Sequence, residues 1–266
     1  MKQVGIICGG YSSEFEISVK SARMICDNFP EGYQPRLIYL RKSGWSVQLE
    51  DDEVPLDAQK FTFLENGQSI KIDVAIVYIH GDPGENGKVQ GYLEMIGIPY
   101  VNSSPLASQL SFDKWYCNQF IKGFGVKVAD SIFLTSPKEL PAVEKVVDQL
   151  GLPIFVKPCD SGSSYGIARV DDPANLQGAV QNAFDEGATV VLEAFLDGTE
   201  VTCGVYRTKN GLEALPMTEI VSENAFFDYE AKYLGKSQEI TPARIPDEQR
   251  DLCQKISKEI YQLLNL

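Results

Sequence analysis

The sequence predicts an α/β fold whose N-terminal part is a doubly wound domain, with strands connected by helices. Two observations lead to this prediction. The apolar run Val4–Cys8 has the length of a buried strand, and the glycine pair after it leads into a stretch with helical periodicity. Short apolar runs then alternate with helical stretches along the 266 residues, which are enough for two or three domains.

The first helix is predicted to start at a capping box formed by Ser13 and Glu16. A hydroxyl and a carboxylate three residues apart can satisfy the free N–H groups at a helix start. Ile17, Ser21 and Met24 follow at helical spacing, and we expect them on the buried face. The dinucleotide fingerprint G-x-G-x-x-G is absent from this strand, turn and helix.

Further elements complete the expected N-terminal domain. Residues 36–40 and 73–79 are predicted strands, residues 88–96 a helix and residues 97–101 a returning strand. The polar region from about 50 to 60 is expected to be a loop.

Two polar residues of this domain have more than one interpretation. Glu14, near the predicted helix start, either binds a substrate ammonium or only stabilises the positive end of the helix dipole. His80 follows the strand 73–79, where α/β domains bind ligands, and it either contacts a ligand or has a structural role. The segment 80–87 is not a P-loop, because five residues separate its glycines and Val89 replaces the serine or threonine.

Strands and helices also alternate in the second half of the chain. The expected order is helix 111–122, strand 130–135, helix 139–150, strands 154–156 and 167–170, helix 173–186, strands 189–193 and 199–206, and a helix after Pro246.

The predicted hairpin that contains Lys157 is the most informative stretch of this half. Gly162 and Gly166 allow backbone N–H groups to approach an anion, and Ser163 and Ser164 add hydroxyl donors. Lys157 adds a positive charge at the same place. By themselves these residues fit a phosphate clasp and an ordinary polar hairpin equally.

Other charged residues are equally ambiguous when taken singly. Glu193 and Glu200 flank a joint between two predicted strands, where they suit the amino and hydroxyl groups of a nucleoside or are simply surface glutamates. Lys114, near a helix start, reads in isolation as a solvated surface lysine. Residues 225–233 mix aromatic and charged side chains and fit either a functional loop or a packed aromatic corner.

Composition excludes several classes of protein. A net charge of −13 argues against a general nucleic-acid binder, though not against a local lysine pocket for phosphates. No segment has the length of a membrane span or of a signal peptide, so we expect a cytoplasmic protein. Six scattered cysteines and one histidine argue against a metal cluster and predict reduced thiols.

Six segments together resemble the D-alanine–D-alanine ligase family of the ATP-grasp enzymes. They occur in the order and with the spacing of that family, and they cover nearly the whole chain. The segments are GGYSSEFEIS (9–18), HGDPGENG (80–87), DKW (113–115), VKPCDSGSSYG (156–166), LEAFLDGTE (192–200) and FDYEAKY (227–233).

The resemblance implies three domains and a homodimer. Residues 1–111 would form the α/β substrate-binding domain, residues 112–205 the central ATP-grasp subdomain, and residues 206–266 the start of a C-terminal ATP-grasp subdomain. The last two would have α+β folds and would hold ATP between their sheets.

The resemblance also implies a nucleotide-binding set. Lys114 and Lys157 would contact phosphates, the loop at Ser163 would cover the γ-phosphate, Glu193 would lie near the adenine amino group and Glu200 on the ribose. The full set is Lys114, Lys157, Ser163, Ser164, Gly166, Glu193, Leu196, Glu200 and Lys232.

For the amino-acid substrate the resemblance implies that Glu14 binds the ammonium of the first D-alanine and that His80 lies near its carboxylate. Lys232 and Tyr233 would belong to a closing loop that meets Ser163. Glu14, Ser163 and Tyr233 would form the catalytic set.

The implied reaction joins two D-alanines through an acyl phosphate, with ATP and Mg²⁺, to make a peptidoglycan precursor. Tyr233 matches the tyrosine associated with D-alanine rather than D-lactate as second substrate. Two alternatives remain: an inactive nucleotide-binding scaffold, and a ligase for D-lactate or another carboxylate and amine.

Two positions depart from the family pattern. No E-x-N pattern follows Pro246, so the magnesium ligands are expected in a segment beyond Leu266, and activity is expected to depend on that segment. Asn86 stands where the family usually has Asp.

Overall fold

The computed structural model describes residues 1–50, 52–222 and 237–266. The chain divides into two compact units, Met1–Leu110 and Ser111–Leu266, and each has its own sheet and its own apolar core. In the described part of the chain, no helix combines the length and the hydrophobicity that a membrane span needs.

The first unit contains one sheet of seven strands. These are β1 (Lys2–Gly9), β2 (Tyr33–Arg41), β3 (Gly44–Gln48), β4 (Glu53–Asp57), β5 (Thr62–Glu65), β6 (Gln68–Lys71) and β7 (Val74–Val77). The order across the sheet is β6-β5-β4-β3-β2-β1-β7. Strand β1 is parallel to both of its neighbours, and β2 to β6 form an antiparallel meander.

The prediction of a loop at about 50–60 was wrong, because β4 lies there. Only Leu56 of β4 is fully buried, and it joins the apolar core. An antiparallel strand with one solvated face carries many polar residues, and its sequence therefore looks like a loop. The expected strand at 97–101 was also wrong, since only Tyr100 forms a bridge, with Ala75.

Helices cover both faces of this sheet. The helices of the unit are α1 (Phe15–Asp27), α2 (Lys88–Met95) and α3 (Pro105–Phe112). Alternate side chains of β1 point to opposite faces. Ile6 packs in the cluster that contains Val19 of α1, whereas Ile7 packs in the cluster that contains Leu93 of α2.

Helix α1 differs from its sequence prediction at two points. Its N-cap is Glu14, one residue after the expected Ser13, and Glu14 makes no side-chain capping bond. Its buried residues are Ser18, Val19 and Ala22, whereas Ile17, Ser21 and Met24 were expected on the buried face. Spacing of apolar residues could not identify a fully buried position that is a serine.

In its described residues, 111–222 and 237–266, the second unit contains three sheets and four helices. Its helices are α4 (Lys114–Lys122), α5 (Val143–Leu150), α6 (Leu176–Glu186) and α7 (Asp247–Leu263), with short 3-10 turns at Pro137–Glu139 and Pro173–Asn175. Its strands are β8 (Ser131–Leu134), β9 (Ile154–Pro158), β10 (Ala168–Val170), β11 (Val190–Ala194), β12 (Val201–Thr202), β13 (Val205–Thr208), β14 (Gly211–Ala214), β15 (Thr218–Ser222) and β16 (Ser237–Ile240).

An antiparallel sheet in the order β10-β9-β11-β8 carries the predicted hairpin. A second sheet has the order β12-β15-β16, and β13 pairs with β14. The hairpin of β9 and β10 and the helix after Pro246 are confirmed. The expected strand 199–206 is divided into β12 and β13.

The four-stranded sheet has two different faces. Ile154, Val156 and Leu192 belong to the apolar core that this sheet shares with α5 and α6. Because side chains alternate along a strand, Phe155, Lys157 and Glu193 lie on the opposite face. We call this opposite face the site face.

Candidate functional site

An ion pair lies at the centre of the site face. Lys157 of β9 donates from Nζ to Oε2 of Glu193 on the neighbouring strand β11, at 2.6 Å. Glu193 is only 7% exposed, and a buried carboxylate is stable only when it is paired. The sequence assigned these two residues to one ligand, and the structure places them in direct contact.

Helix α4 contributes a third residue to this pair, Asn118. Its Nδ2 donates to Oε1 of Glu193 at 3.0 Å, so both carboxylate oxygens are engaged. Sequence reasoning missed Asn118. The signal that could have found it is its position four residues after Lys114, which places both on one face of the helix.

Lys114 begins α4 and binds the end of β9. Asp113 caps the helix by accepting from the Tyr116 N–H at 3.0 Å. The Lys114 Nζ donates to the carbonyls of Pro158 at 3.0 Å and Ser161 at 2.6 Å. These two bonds use two of the three N–H donors of the ammonium. Burial lowers the pKa of Lys114 below its ordinary value.

The loop between β9 and β10 has an unusual backbone. Ser163, Ser164 and Gly166 have φ values of +47°, +61° and +69°, in the left-handed region. Left-handed residues of this kind occur in backbone nests, whose N–H groups bind anions. At Gly166 a Cβ would lie 2.9 Å from Cβ of Glu186, so only glycine fits there without a shift.

The joint after β11 exposes apolar side chains. Phe195 stacks on Phe155 with ring centroids 6.1 Å apart, and the Arg169 guanidinium lies 5.6 Å from the Phe195 ring centre. Leu196 is 68% exposed. Glu200 is exposed too, and it is not part of the hydrogen-bonded cluster of Lys157, Glu193 and Asn118.

In the first unit one hydroxyl connects Glu14 and His80. Ser12 Oγ accepts from the Glu14 N–H at 3.3 Å and donates to the His80 carbonyl at 2.7 Å. Glu14 is 6% exposed, and its Oε2 lies 3.8 Å from the position of a Cβ built on Gly81. The Glu14 carboxylate is therefore held against the segment that follows His80.

Hydrogen bonds fix the shape of segment 80–87. The Gly81 N–H donates to Oε2 of Glu85 at 2.8 Å. Gln90 of α2 is 2% exposed and donates to the Gly84 carbonyl at 2.7 Å. Asn86 donates its side-chain amide to Asp82, which also binds Lys88. An aspartate at position 86 would face the Asp82 carboxylate, which accounts physically for the asparagine found there.

Lys232 and Tyr233 lie outside the described residues. Within residues 1–50, 52–222 and 237–266, no three histidine, cysteine, aspartate or glutamate side chains form a group that fits a metal ion.

Two family models match the chain. One is described as the D-ala D-ala ligase N-terminus and matches residues 3–103, and the other as the D-ala D-ala ligase C-terminus and matches residues 120–266. The D-alanine--D-alanine ligase of Porphyromonas gingivalis (strain ATCC BAA-308 / W83) is 46% identical, over 98% of this chain and 80% of its own length.

Solved structures are similar over the same extent. D-alanyl-alanine synthetase A from Vibrio cholerae matches with a TM-score of 0.85 at 28% identity, covering 99% of this chain and 81% of its own. The D-alanine--D-alanine ligase of Bacillus anthracis complexed with ATP matches with a TM-score of 0.75 at 28% identity. The match covers 99% of this chain and 78% of that chain.

Proposed function

The chain belongs to the D-alanine–D-alanine ligase family, and we propose that it uses ATP to join two D-alanines into D-alanyl-D-alanine for peptidoglycan precursors. One observation supports this assignment most directly: both family models match in order along the chain. The cluster of Lys157, Glu193 and Asn118, beside Lys114, supplies the charges that a nucleotide requires.

The reaction proceeds in two steps. The carboxylate of the first D-alanine attacks the γ-phosphorus of ATP, which forms an acyl phosphate and releases ADP. The amine of the second D-alanine then attacks the activated carbonyl, phosphate leaves, and the amine gives up a proton as the peptide bond forms. The products are one dipeptide, one ADP and one phosphate for each ATP. Mg²⁺, which this family uses with ATP, neutralises phosphate charge when bound.

Charge repulsion is the main barrier to the first step, because a carboxylate must approach a triphosphate. We assign Lys114 and Lys157 to the phosphates, where their positive charges would offset this repulsion. The N–H groups of the loop at Ser163, Ser164 and Gly166 would hold the γ-phosphate. We assign Glu193 to the adenine amino group, and Leu196 and Glu200 to the adenine edge and the ribose.

The first D-alanine needs a partner for each of its charged groups. We assign its ammonium to Glu14, whose carboxylate is buried, and its carboxylate to His80. Ser12 connects these two residues and so would set the distance between them. The acyl phosphate must be protected from water, and we assign this to the loop at Ser163 together with Lys232 and Tyr233.

The test is release of ADP and phosphate by the purified full-length protein with ATP, Mg²⁺ and one candidate substrate at a time. We expect release with D-alanine, in equal amounts with D-alanyl-D-alanine, and none with L-alanine. With D-lactate as second substrate at neutral pH we expect less product than with D-alanine. Release that does not depend on D-alanine, or faster joining to D-lactate, would contradict the assignment.

Two properties of the whole protein are also proposed. A homodimer follows from the family resemblance alone, and light scattering at a known protein concentration tests it. A cytoplasmic location agrees with the free thiols of all six cysteines, since thiols persist in a reducing compartment.

A further inference from the structure

We propose that Asn118 positions Glu193 for recognition of the nucleotide base, and that it thereby sets the preference for a base with an amino group at C6. This inference rests on the proposed nucleotide site. Asn118 does not touch the nucleotide in this account, so it is a positioning residue.

The hydrogen bond between Asn118 and Glu193 allows one assignment of donor and acceptor. A carboxylate only accepts hydrogen bonds, so the Asn118 amide must present its nitrogen to Oε1 of Glu193, as it does at 3.0 Å. Lys157 holds the other oxygen, Oε2, at 2.6 Å. With a donor on each oxygen, the plane of the Glu193 carboxylate is fixed.

Helix α4 is itself fixed on the sheet, which makes Asn118 a rigid support. One turn before Asn118, Lys114 binds the carbonyls of Pro158 and Ser161. Trp115 stacks on Phe133 of β8 with ring centroids 4.9 Å apart and an angle of 13° between the ring planes. The amide therefore approaches Glu193 from an element that is bound to this unit at two other points.

The fixed carboxylate can distinguish one base from another. Adenine carries an amino group at C6, which donates to a carboxylate oxygen, whereas hypoxanthine and guanine carry an oxygen there, which repels it. Without Asn118, Lys157 would be the one remaining hydrogen-bond donor to the Glu193 carboxylate among the described residues, and the carboxylate could turn away from a C6 oxygen. The binding free energy lost to a C6 oxygen would then become smaller. The binding free energy gained from a C6 amino group would become smaller as well.

The experiment compares ATP with inosine triphosphate, whose base carries an oxygen in place of the C6 amino group and a proton on N1. Binding of each nucleotide to the full 266-residue chain is measured by titration calorimetry. For the natural sequence we expect ATP to bind at least about 10-fold more tightly than inosine triphosphate.

The variant Asn118→Leu keeps the approximate shape of the side chain and removes the donor. We expect its ATP affinity to fall about 10-fold while its affinity for inosine triphosphate changes less than about 2-fold, so that the preference largely disappears. Asn182→Leu is the matched control, because Asn182 is exposed on α6, and it should leave both affinities unchanged.

Three results would overturn the inference. If Asn118→Leu weakens both nucleotides equally, the residue supports the fold and not base recognition. If it weakens neither, the contact has no role in binding. If the natural sequence binds no ATP, the proposed function fails, and the inference fails with it. Should Asn118→Leu not fold by circular dichroism, Asn118→Asp replaces it; this variant places a carboxylate against Glu193 and should reduce the preference at least as much.

Discussion

Single residues of the proposed nucleotide site could be predicted when their chemistry lies in a local motif. Lys157, Ser163 and Ser164 were predicted because they belong to one short segment. Asn118 was not, because its partner is 75 residues away along the chain. Ser12 was missed for the same reason, since its hydroxyl binds a carbonyl 68 residues away. Contacts at such separations depend on the packing of whole elements, which one sequence does not specify.

Gly166 gives the first prediction at this scale. In Gly166→Ala a left-handed φ combines with a Cβ only 2.9 Å from Cβ of Glu186 and 3.2 Å from Cγ of Pro158. We expect a loss of about 1–3 kcal/mol in the free energy of unfolding, together with weaker ATP binding. Urea unfolding and ATP titration measure the two effects.

Gly178→Ala is the control for this prediction. Gly178 lies in α6, and a Cβ there would meet no atom within 4 Å. This variant should be as stable as the natural sequence or more stable, because alanine favours a helix. If the two variants have equal stability, the backbone at Gly166 is not strained as described.

The pair of Glu219 and Arg244 gives a prediction about acid stability. Arg244 donates to both carboxylate oxygens of Glu219 at 2.8 and 2.9 Å and lowers the pKa of that carboxyl from 4.5 to about 2. A carboxyl whose pKa is lower in the folded state stabilises the fold above its unfolded pKa. That stabilisation is therefore lost progressively as the pH falls from about 4.5 toward 2.

Removal of the arginine should remove this part of the pH dependence. We expect Arg244→Met to be less stable than the natural sequence at pH 7 and to differ from it less at pH 3. Unfolding midpoints at the two pH values measure this. Arg250→Met, which disrupts an exposed ion pair of α7, is the control and should change stability little at either pH. An equal difference at pH 7 and pH 3 for Arg244→Met would contradict the role of Glu219.

At the scale of elements, the sequence predicted the structure best where the spacing of apolar residues follows a single strand or helix period. The buried strand β1, the hairpin of β9 and β10 and the last helix have clear patterns, and they are present. Strand β4 was missed because one of its faces is in water, and the strand expected at 97–101 is reduced to a single bridge. Pairing with neighbouring strands decided both cases, and a local window of sequence does not contain that information.

Ser18 carries the element-scale prediction, because it connects α1 to two strands. Its hydroxyl accepts from the Gly9 N–H at 2.9 Å and donates to the Tyr78 carbonyl at 2.6 Å, in a fully buried position. Ser18→Ala leaves the buried Gly9 N–H and the part-buried Tyr78 carbonyl without this partner. We expect a loss of about 1–3 kcal/mol in the free energy of unfolding.

The control is Ser21→Ala on the same helix. Ser21 is only partly buried, and alanine favours a helix, so this variant should keep or slightly raise stability. Chemical denaturation of both variants measures the difference. Equal stabilities would show that the Ser18 hydroxyl does not hold α1 against the ends of β1 and β7.

At the scale of the whole molecule, each of the two units carries its own set of candidate binding residues. The first unit holds Glu14 and His80 through Ser12, and the second holds Lys114, Lys157 and Glu193 through α4 and the four-stranded sheet. The resemblance identified the family from six segments, and the matches to both family models confirm it. The roles of individual residues remain proposals that binding measurements must test.

The central claim is that the second unit binds ATP through the lysines and the glutamate of its site face. Calorimetric titration of ATP into the natural sequence, Lys157→Gln and Lys145→Gln tests it most directly, with thermal unfolding to confirm that each protein is folded. Lys145 is exposed on α5, so the same substitution there is the control. We predict that Lys157→Gln weakens ATP binding at least about 10-fold and that Lys145→Gln does not change it. Equal ATP affinity in all three folded proteins would contradict the account.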